Sequence, residues 1–330
     1  MRFLILLPVA ALGCAGGPAD RLDSGSRTSR LRVVTFNTGT SEGLNHDAPP
    51  DDGYSSEHAT RSDAFYGDGL AWIPAVEAAR IFFDGLDADL VAFQEIFWSE
   101  LCADIPGSAH ADFVCEGWQA GDPTVALEIL GPGWQVACHP ARPDKCLAVR
   151  TDIARIVGCD DVLCIDGLDG ERVEGCGSGA RVGRARLEME TGVLTAVSVH
   201  GSSGITAHDQ ACRVAQVEQV FLDLDGAPAA DGMRNLILGD LNTDPGRFAD
   251  FDPSAGRWLD FVGPGAEFAF HSEVGAGAPG GYQGVADIDH VMSDAFAGDC
   301  RIAGLDPALP EVLDAVYFDH RPVVCDLTLR

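Results

Sequence analysis

Short apolar runs recur along the chain, and those without strict alternation predict strands that are buried on both faces. Three of them are LRVVTF (31–36), ADLVAF (88–93) and VLTAVSV (193–199). A fourth run, NLILG (235–239), stops abruptly at Asp240. Further strands are predicted at 134–138, 146–149, 184–190, 286–292 and 322–329, and the alternation within 184–190 indicates a half-buried strand.

Two segments have the periodicity of an amphipathic helix. They are IPAVEAARIFFDGL (73–86) and the stretch 208–224. In the second segment Arg213 and Gln216 lie about one turn apart, so we expect this pair to brace the loop that follows His200. The combination of buried strands, half-buried strands and helices predicts a layered domain of mixed α/β class.

The composition is that of a globular protein with enough chain for a large core. The chain has 330 residues, of which 46% are apolar and 22% are charged. Its formal net charge is −29, and Lys145 is its only lysine. This charge excludes a basic surface that binds nucleic acid irrespective of sequence. It leaves open a phosphoester substrate that is bound through a metal ion and a few arginines.

The N-terminus, MRFLILLPVAALGCAGG, predicts a secretion signal, because its apolar stretch is too short to span a membrane. Residues 11–14, ALGC, resemble a bacterial lipobox, which implies cleavage after a 1–13 signal peptide and lipidation of Cys14. Ordinary cleavage and secretion are the alternative. The protein is therefore predicted to be exported and attached by lipid to the bacterial cell envelope, or otherwise secreted. A polar tether, 14–30, leads to the folded domain.

Ten cysteines follow Cys14, and an even number in an exported chain indicates disulfide bonds. Three short-range pairs are plausible, although spacing alone does not fix the connectivity. No CxxC pair or Cys/His cluster has the spacing of a zinc site. The plausible pairs are Cys102–Cys115, Cys138–Cys146 and Cys159–Cys164, and the other four cysteines are Cys176, Cys212, Cys300 and Cys325.

Polar residues that can bind a metal ion or a phosphate follow several of the buried strands directly. A single ending of this kind is a weak signal, because Asp and Asn also end strands and start turns. Asp240 and Asn242 are two residues apart, so on an extended chain their side chains leave from the same face. Six such endings in one chain indicate a shared site. They are Asn37, Glu95, His200, Asp240 with Asn242, Asp289, and Asp319 with His320.

These endings resemble the motifs of the endonuclease/exonuclease/phosphatase superfamily, and they occur in that superfamily's order. The resemblance implies an α/β fold in which two mixed β-sheets pack face to face with helices outside, a four-layer sandwich. We therefore expect one domain, 31–330, with a disulfide-bearing insertion around 102–176. The matching pieces are TFN (35–37), FQE (93–95), SVHG (198–201), GDLNTDP (239–245), IDHV (288–291) and DHRPV (319–323).

The resemblance implies a metal-dependent attack of water on a phosphodiester. Glu95 offers a hard carboxylate for Mg²⁺, with Mn²⁺ or Ca²⁺ as alternatives, and Asn37 completes this shell directly or through water. Asp319 is either a second metal ligand or a support. Asp240 is expected to orient and deprotonate the attacking water, and Asn242 to hold phosphate or water through its amide.

Two histidines complete the predicted reaction centre. His200 and His320 each can donate to phosphoryl oxygens, and the resemblance implies that one of them contacts the scissile phosphate. Asp289 is expected to fix the tautomer and charge of His320, as a carboxylate does for a catalytic imidazole. His290 has no clear counterpart in the superfamily and is interpreted as a local hydrogen-bonding group.

Three functions are open from the sequence. The first is an exported nuclease. The second is a lipid phosphodiesterase similar to sphingomyelinase or phospholipase C, because the stretch QEIFW (94–98) resembles a sequence typical of those enzymes. For membrane insertion, only 258–270 is a candidate, and a weak one. The third is a non-catalytic surface binding protein on the same scaffold. Because every catalytic position is filled, we expect an enzyme. Its partner is a phosphodiester, either nucleic acid or a phospholipid head group, and no protein partner is inferred.

Overall fold

A computed structural model of the protein describes residues 29–41, 46–48, 53–159, 162–164, 167–177, 179–224, 226–312 and 317–330. The predicted signal peptide and Cys14 lie outside these residues, and so does the predicted tether except for Ser29 and Arg30. The first strand begins at Arg30, one residue before the predicted start of the domain. Within the described part of the chain, no helix is long and apolar enough to cross a membrane.

Thirteen strands and five α-helices form within the described residues. The strands are β1 (Arg30–Asn37), β2 (Leu90–Gln94), β3 (Trp134–His139), β4 (Arg142–Arg150), β5 (Ala154–Ile156), β6 (Asp169–Glu171), β7 (Val182–Met189), β8 (Gly192–His200), β9 (Asn235–Asp240), β10 (Ala269–Phe270), β11 (Asp289–Ser293), β12 (Phe296–Ile302) and β13 (Val323–Leu329). The helices are α1 (Ser56–Arg61), α2 (Ile73–Leu86), α3 (Val125–Leu130), α4 (Ala207–Phe221) and α5 (Pro253–Phe261).

The strands form two mixed sheets. The first sheet has six strands in the order β12-β13-β1-β2-β4-β3. The second has the order β10-β11-β9-β8-β7-β5, and β6 also pairs with β7. Each sheet contains one parallel pair near its centre, β1 with β2 and β8 with β9. Because parallel strands point the same way, each pair brings two carboxyl ends to one edge.

Three apolar clusters fill the space between the sheets and on their outer faces. Val33 packs between the sheets whereas Val34 packs toward α2, so alternate residues of β1 are buried on opposite faces. In β9, Leu236 and Leu238 lie between the sheets and Ile237 lies outside. Helices α2 and α3 cover the first sheet, and α4 and α5 cover the second. This order of layers confirms the expected four-layer sandwich.

One edge of the sandwich collects the polar strand endings from both sheets. His200 at the end of β8 pairs in register with Asp240 at the end of β9. Asp289 at the start of β11 pairs with Asp240 from the other side. Strand β13 runs antiparallel to β1, so the preceding segment with Asp319 and His320 reaches the edge where β1 ends. We call this the site edge.

Most predicted elements are present, with shifts at their ends. Helix α2 covers the predicted range 73–86. Helix α4 begins one residue earlier than predicted, because Thr206 caps it and shares a reciprocal capping box with Asp209. It ends at Phe221, three residues before the predicted end.

The structure differs from the sequence interpretation at three further places. The strand predicted at 286–292 begins only at Asp289. Strand β12 was not predicted, because it is an edge strand whose middle residues are polar and partly exposed. The range 258–270 does not form a membrane-inserting aromatic surface, because Trp258 is 1% exposed and packs against Phe221 of α4.

Five disulfide bonds join the ten cysteines. The three short-range pairs expected from spacing are formed, and two longer-range pairs, Cys176–Cys212 and Cys300–Cys325, complete the set. Segment 102–176 supplies strands β3 to β6 to the two sheets, so its disulfides fasten parts of the sandwich itself. Disulfides at this density indicate an oxidising environment.

Candidate active site

Side chains from both sheets meet at the site edge. His200 Nε2 lies 3.2 Å from Glu95 Oε1 and 3.8 Å from Asp240 Oδ2. His320 Nε2 lies 3.8 Å from the same oxygen of Asp240. The four side chains, which come from four separate segments, therefore form one cluster within hydrogen-bonding reach of a common ligand.

Asp240 lies at the centre of this cluster and is 1% exposed. Asn37, at the end of β1, donates its amide to Asp240 Oδ2 at 3.0 Å, so this bond joins the two sheets. Asn242 donates its amide to the same oxygen at 3.0 Å and its backbone N–H to Oδ1 at 2.7 Å. These bonds fix the orientation of the carboxylate. Burial raises the pKa of Asp240 to about 7, which makes it a stronger base than a surface aspartate.

A backbone turn, and not strand alternation, brings Asp240 and Asn242 together. The extended geometry expected for this pair is wrong, because β9 ends at Asp240 and Asn242 has a φ of 51°. Asn adopts this left-handed conformation more readily than most residues. The turn carries the Asn242 amide back to Asp240 and also to the carbonyl of Gly201, which accepts at 3.0 Å.

Glu95 depends on a close approach to a glycine. It follows β2 directly and has a left-handed φ of 58°. A Cβ atom on Gly39 would overlap Glu95 Oε2 and would lie 3.2 Å from Asn37 Oδ1, so both oxygens border the space that the glycine leaves open. Gly39 was missed from the sequence, although it stands only two residues after Asn37 in the run TFNTG.

His320 is buried between carboxylates. Its Nδ1 makes a 2.6 Å hydrogen bond with Asp289 Oδ2, and its Nε2 lies 3.8 Å from Asp319 Oδ1. Burial lowers the pKa of His320, but the charges of Asp289, Asp240 and Asp319 outweigh this effect and raise it to about 10. The ring is therefore a proton donor at neutral pH, and Asp289 holds it in one orientation.

Glu95 and His200 form a second hydrogen-bonded pair. Desolvation raises the pKa of Glu95, but the hydrogen bond from His200 and the charges of His320 and Lys145 outweigh it and lower the pKa to about 2. Burial lowers the pKa of His200. The Glu95 side chain is 33% exposed, so an ionised carboxylate is presented at the mouth of the site. A carboxylate in this state can bind a divalent cation.

The donor groups at the site edge fit a divalent cation. Asp240, Asp289 and His320 each have one potential ligand atom, and these three atoms lie within 4.8 Å of one another, but a cation there would require a neutral His320 ring. Among the described residues, Asp289 Oδ1 and Asp319 Oδ1 are buried without a hydrogen-bond partner. A buried carboxylate oxygen is costly unless a donor, a water or a cation satisfies it. Hard oxygen ligands of this kind are the ones that Mg²⁺ prefers.

Three solved structures resemble this chain over most of its length. An endonuclease/exonuclease/phosphatase from Beutenbergia cavernae DSM 12333 is 18% identical, with 91% of this chain and 72% of that chain covered and a TM-score of 0.52. The chain has the endonuclease/exonuclease/phosphatase fold. The human Nocturnin catalytic domain with bound sulfate is 12% identical, with 92% and 95% covered and a TM-score of 0.51. A humanised D. rerio TDP2 is 10% identical, with 91% and 99% covered and a TM-score of 0.50.

No family model matches the chain, and no curated protein matches it. At these low identities the similarity establishes the endonuclease/exonuclease/phosphatase fold alone, and a fold does not determine an activity. The chemistry of this protein therefore depends on its own side chains and not on its fold.

On this fold, Arg213 of α4 ties together the loops that follow β8 and β9. Its Nη1 donates to the carbonyl of Ser202 at 2.8 Å, and its Nη2 donates to Asp252 Oδ2 at 2.8 Å. Thr243, directly after Asn242, donates to the same oxygen of Asp252 at 2.7 Å.

Gln216 contacts the same loop. Its Oε1 accepts the N–H of Ser202 at 2.9 Å, and its amide donates to Ser202 Oγ at 2.8 Å. The predicted bracing of the His200 loop by Arg213 and Gln216 is confirmed. His290 is also as predicted, because its ring is buried and hydrogen-bonds Ser272 Oγ at 2.7 Å, apart from the cluster around Asp240.

We predict that Arg213→Met destabilises the protein by about 3 kcal/mol or more, because it leaves the buried Asp252 carboxylate without its cation. Urea unfolding followed by circular dichroism measures the change. Arg80→Met is the matched control, since Arg80 pairs with Glu77 and Asp84 on the exposed face of α2. The control should unfold at nearly the wild-type midpoint, and equal midpoints for both variants would contradict the bracing role.

Proposed function

We propose that this protein is an exported, divalent-metal-dependent phosphodiester hydrolase in which an activated water attacks phosphorus in line with the leaving oxygen. One observation carries the proposal. A base, Asp240, and a protonated imidazole, His320, lie 3.8 Å apart beside the ionised Glu95. Hydrolysis of a phosphodiester requires such a base, proton donors for the phosphoryl oxygens, and a metal site.

The metal ion would be held by Glu95, with Asn37 and Asp319 completing the shell. When bound, Mg²⁺ neutralises charge on the phosphoryl oxygens, and Mn²⁺ or Ca²⁺ are alternatives. Glu95 Oε2 and Asn37 Oδ1 border the same space beside Gly39, and Asp319 contributes a buried oxygen that no donor among the described residues satisfies. These positions support the assignment.

Asp240 would take the proton of the attacking water. Its pKa, raised to about 7 by burial, is close to neutral pH, where a general base works best. Asn37 and Asn242 hold the carboxylate from two sides, so its orientation is set before substrate binds. The amide of Asn242 donates to Asp240 Oδ2 and to the carbonyl of Gly201, so it orients the base and has no N–H left for the phosphate.

The two histidines would stabilise charge on the phosphate as the water attacks. His320 donates from Nε2, since its Nδ1 is engaged with Asp289. His200 Nε2 lies between Glu95 Oε1, at 3.2 Å, and Asp240 Oδ2, at 3.8 Å, so His200 would reach the phosphate only by exchanging its hydrogen bond to Glu95. Donors placed in advance around a developing charge contribute strongly to catalysis.

Nuclease activity is favoured over lipid hydrolysis by the burial of the aromatic residues that pointed to a membrane. Phe97 and Trp98 of the QEIFW stretch are 4% and 9% exposed, and Trp258 is 1% exposed. None of these residues can therefore insert into a lipid surface while the fold is intact. A lipid phosphodiesterase is the second candidate, and a non-catalytic binding protein is the third.

We predict that the wild-type protein with Mg²⁺ nicks supercoiled plasmid, and that EDTA abolishes the activity. Asp240→Asn should lower the rate by about 10²- to 10⁴-fold, because the base is lost while the shape of the side chain is kept. Asp250→Asn, at an exposed residue after the same strand, is the matched control and should cleave at the wild-type rate. Release of phosphocholine from sphingomyelin vesicles is measured in parallel.

The outcomes separate the candidates. Cleavage of plasmid supports the nuclease, and phosphocholine release without plasmid nicking supports the lipid phosphodiesterase. Binding of Mg²⁺ without cleavage of either substrate supports the binding protein. Unchanged turnover in Asp240→Asn would refute the assigned site.

We predict that Gly39→Ala lowers the rate by about 100-fold with little loss of stability. The new Cβ forces the Glu95 carboxylate out of position, and a misplacement of about 1 Å costs this much in catalysis. Gly85→Ala is the matched control, because a Cβ there meets no atom within 4 Å. Mg²⁺ titration by calorimetry should show weaker binding only in Gly39→Ala. Wild-type affinity for Mg²⁺ in that variant would show that Glu95 is not a metal ligand.

We propose that export follows the signal at the N-terminus, with Cys14 as the lipidated residue. The five disulfide bonds support an oxidising compartment. We predict that mass spectrometry of the non-reduced protein from bacterial envelopes finds an acylated N-terminal Cys14 and no free thiol among the other ten cysteines. An intact N-terminus, or several reactive thiols, would contradict this prediction.

A further inference from the structure

Three cationic side chains gather on one side of the candidate active site. The whole chain has 51 acidic residues and only 22 lysines and arginines, so a local excess of positive charge is unexpected by composition. The three residues are Arg142, Lys145 and Arg181, and Asp144 is the carboxylate that lies among them. The chemistry assigned to the site above uses none of them.

Lys145 lies beside Glu95. Strand β4 pairs with β2, and the N–H of Ile96 donates to the carbonyl of Asp144 at 3.1 Å, which places the start of β4 along the Glu95 segment. Lys145 is 6% exposed and pairs with the Asp144 carboxylate at 3.0 Å. Burying a lysine costs desolvation energy. The only lysine of the chain thus lies at the border of this site.

Arg181 lies beside His200. Its carbonyl accepts the N–H of His200 at 2.8 Å, and its Nη1 is 3.5 Å from the carbonyl of Gly201. Its Nε is buried and has no hydrogen-bond partner among the described residues. A buried guanidinium N–H without an acceptor is unfavourable. This donor therefore indicates that an acceptor from a ligand belongs there.

Lys145 and Arg181 lie next to the strands that carry the site residues, one in each sheet. In the first sheet the site residues come from β1, β2 and the segment before β13, and β4 is the next strand beyond β2. In the second sheet they come from β8, β9 and β11, and β7 is the next strand beyond β8. Lys145 and Arg181 thus lie on segments that are about one strand spacing, 4.8 Å, outside those of Glu95 and His200. Arg142, at the start of β4, packs over Gly179 and lies near enough to both cations to affect them electrostatically.

We propose that Arg181, Lys145 and Arg142 bind a second phosphate group of the substrate, next to the phosphodiester that is cleaved. The inference rests on the proposed function, because it takes the reaction centre around Asp240 as given. The guanidinium of Arg181 offers a planar set of N–H donors that matches phosphate oxygens, and Lys145 adds a compact charge.

This assignment narrows the class of substrate. A nucleic acid strand, or a small molecule with two phosphate groups, carries a second phosphate beside the scissile one. A choline phospholipid instead carries a quaternary ammonium next to its phosphate, which a cationic cluster repels. Because the rest of the chain is strongly acidic, attraction of the substrate is confined to this cluster.

The test uses three thymidine dinucleotides that differ only in a terminal phosphate: TpT, pTpT and TpTp. With Mg²⁺ and wild-type protein, we expect kcat/KM for one of the phosphorylated dinucleotides to exceed that for TpT by about tenfold or more. In Arg181→Met and Lys145→Met this ratio should fall to about twofold or less. Equal kcat/KM values for the three dinucleotides in wild-type protein would overturn the proposal.

Arg186→Met is the matched control. Arg186 lies on β7 five residues after Arg181, its side chain is 54% exposed, and it pairs with Asp231 away from the site. This variant should keep the wild-type preference for the phosphorylated dinucleotide. Loss of the preference in the control as well would mean that general charge, and not the cluster, selects the substrate, and would overturn the proposal.

A binding measurement separates this inference from the proposed function. The probe is a thymidine dinucleotide with an uncharged methylphosphonate linkage, prepared with and without a terminal phosphate, and titrated by calorimetry in EDTA. Wild-type protein should bind the phosphorylated probe about tenfold more tightly, and Arg181→Met should bind both equally. Equal binding by wild-type protein overturns the inference. Phosphate-dependent binding without cleavage of any phosphodiester overturns the proposed function alone.

Discussion

The hydrogen bond from Asn37 to Asp240 joins the two sheets at the site edge, together with the Glu95–His200 and Asp289–His320 contacts, beside a layer of apolar side chains. It requires β1 of one sheet and β9 of the other to end at the same height, so the packing of the apolar layer sets the positions of both side chains. A buried carboxylate is tolerated only when donors surround it. Asn37 and Asn242 supply them, and the Asp240 carboxylate is thereby held in one orientation.

The strand endings could be predicted because a polar residue after an apolar run is visible in a one-dimensional pattern. The geometry that brings those residues together was not visible. Glu95 and Asn242 both have positive φ values, and for Glu95 no local sequence preference predicts this conformation. Gly39 matters because of a carboxylate that is 56 residues away in the chain, and no local signal marks that contact. Similarly, Arg213 was recognised as a brace, but its buried partner Asp252 lies 39 residues further on.

The electrostatics of the molecule work on two scales. At long range the acidic chain repels anions, and at the site edge a cluster of carboxylates concentrates the same sign of charge. Burial and neighbouring charges give these carboxylates different pKa values. Glu95 is ionised at neutral pH, whereas burial raises the pKa of Asp319 to about 7. The histidines and the buried cations offset part of this negative charge. The phosphate of the proposed substrate would therefore be attracted only locally, where these cations outweigh the carboxylates.

Two of the disulfide bonds lie at the margins of the first sheet. Cys138–Cys146 joins β3 to β4 and Cys300–Cys325 joins β12 to β13, and in both cases the bonded cysteines face each other in register. Both outermost strands are thus covalently stapled to their inner neighbours. An edge strand is where a sheet frays and where another molecule can add a strand. Stapling both borders keeps the outer strands paired during local opening, so neither border of this sheet frays or offers free backbone groups to another strand.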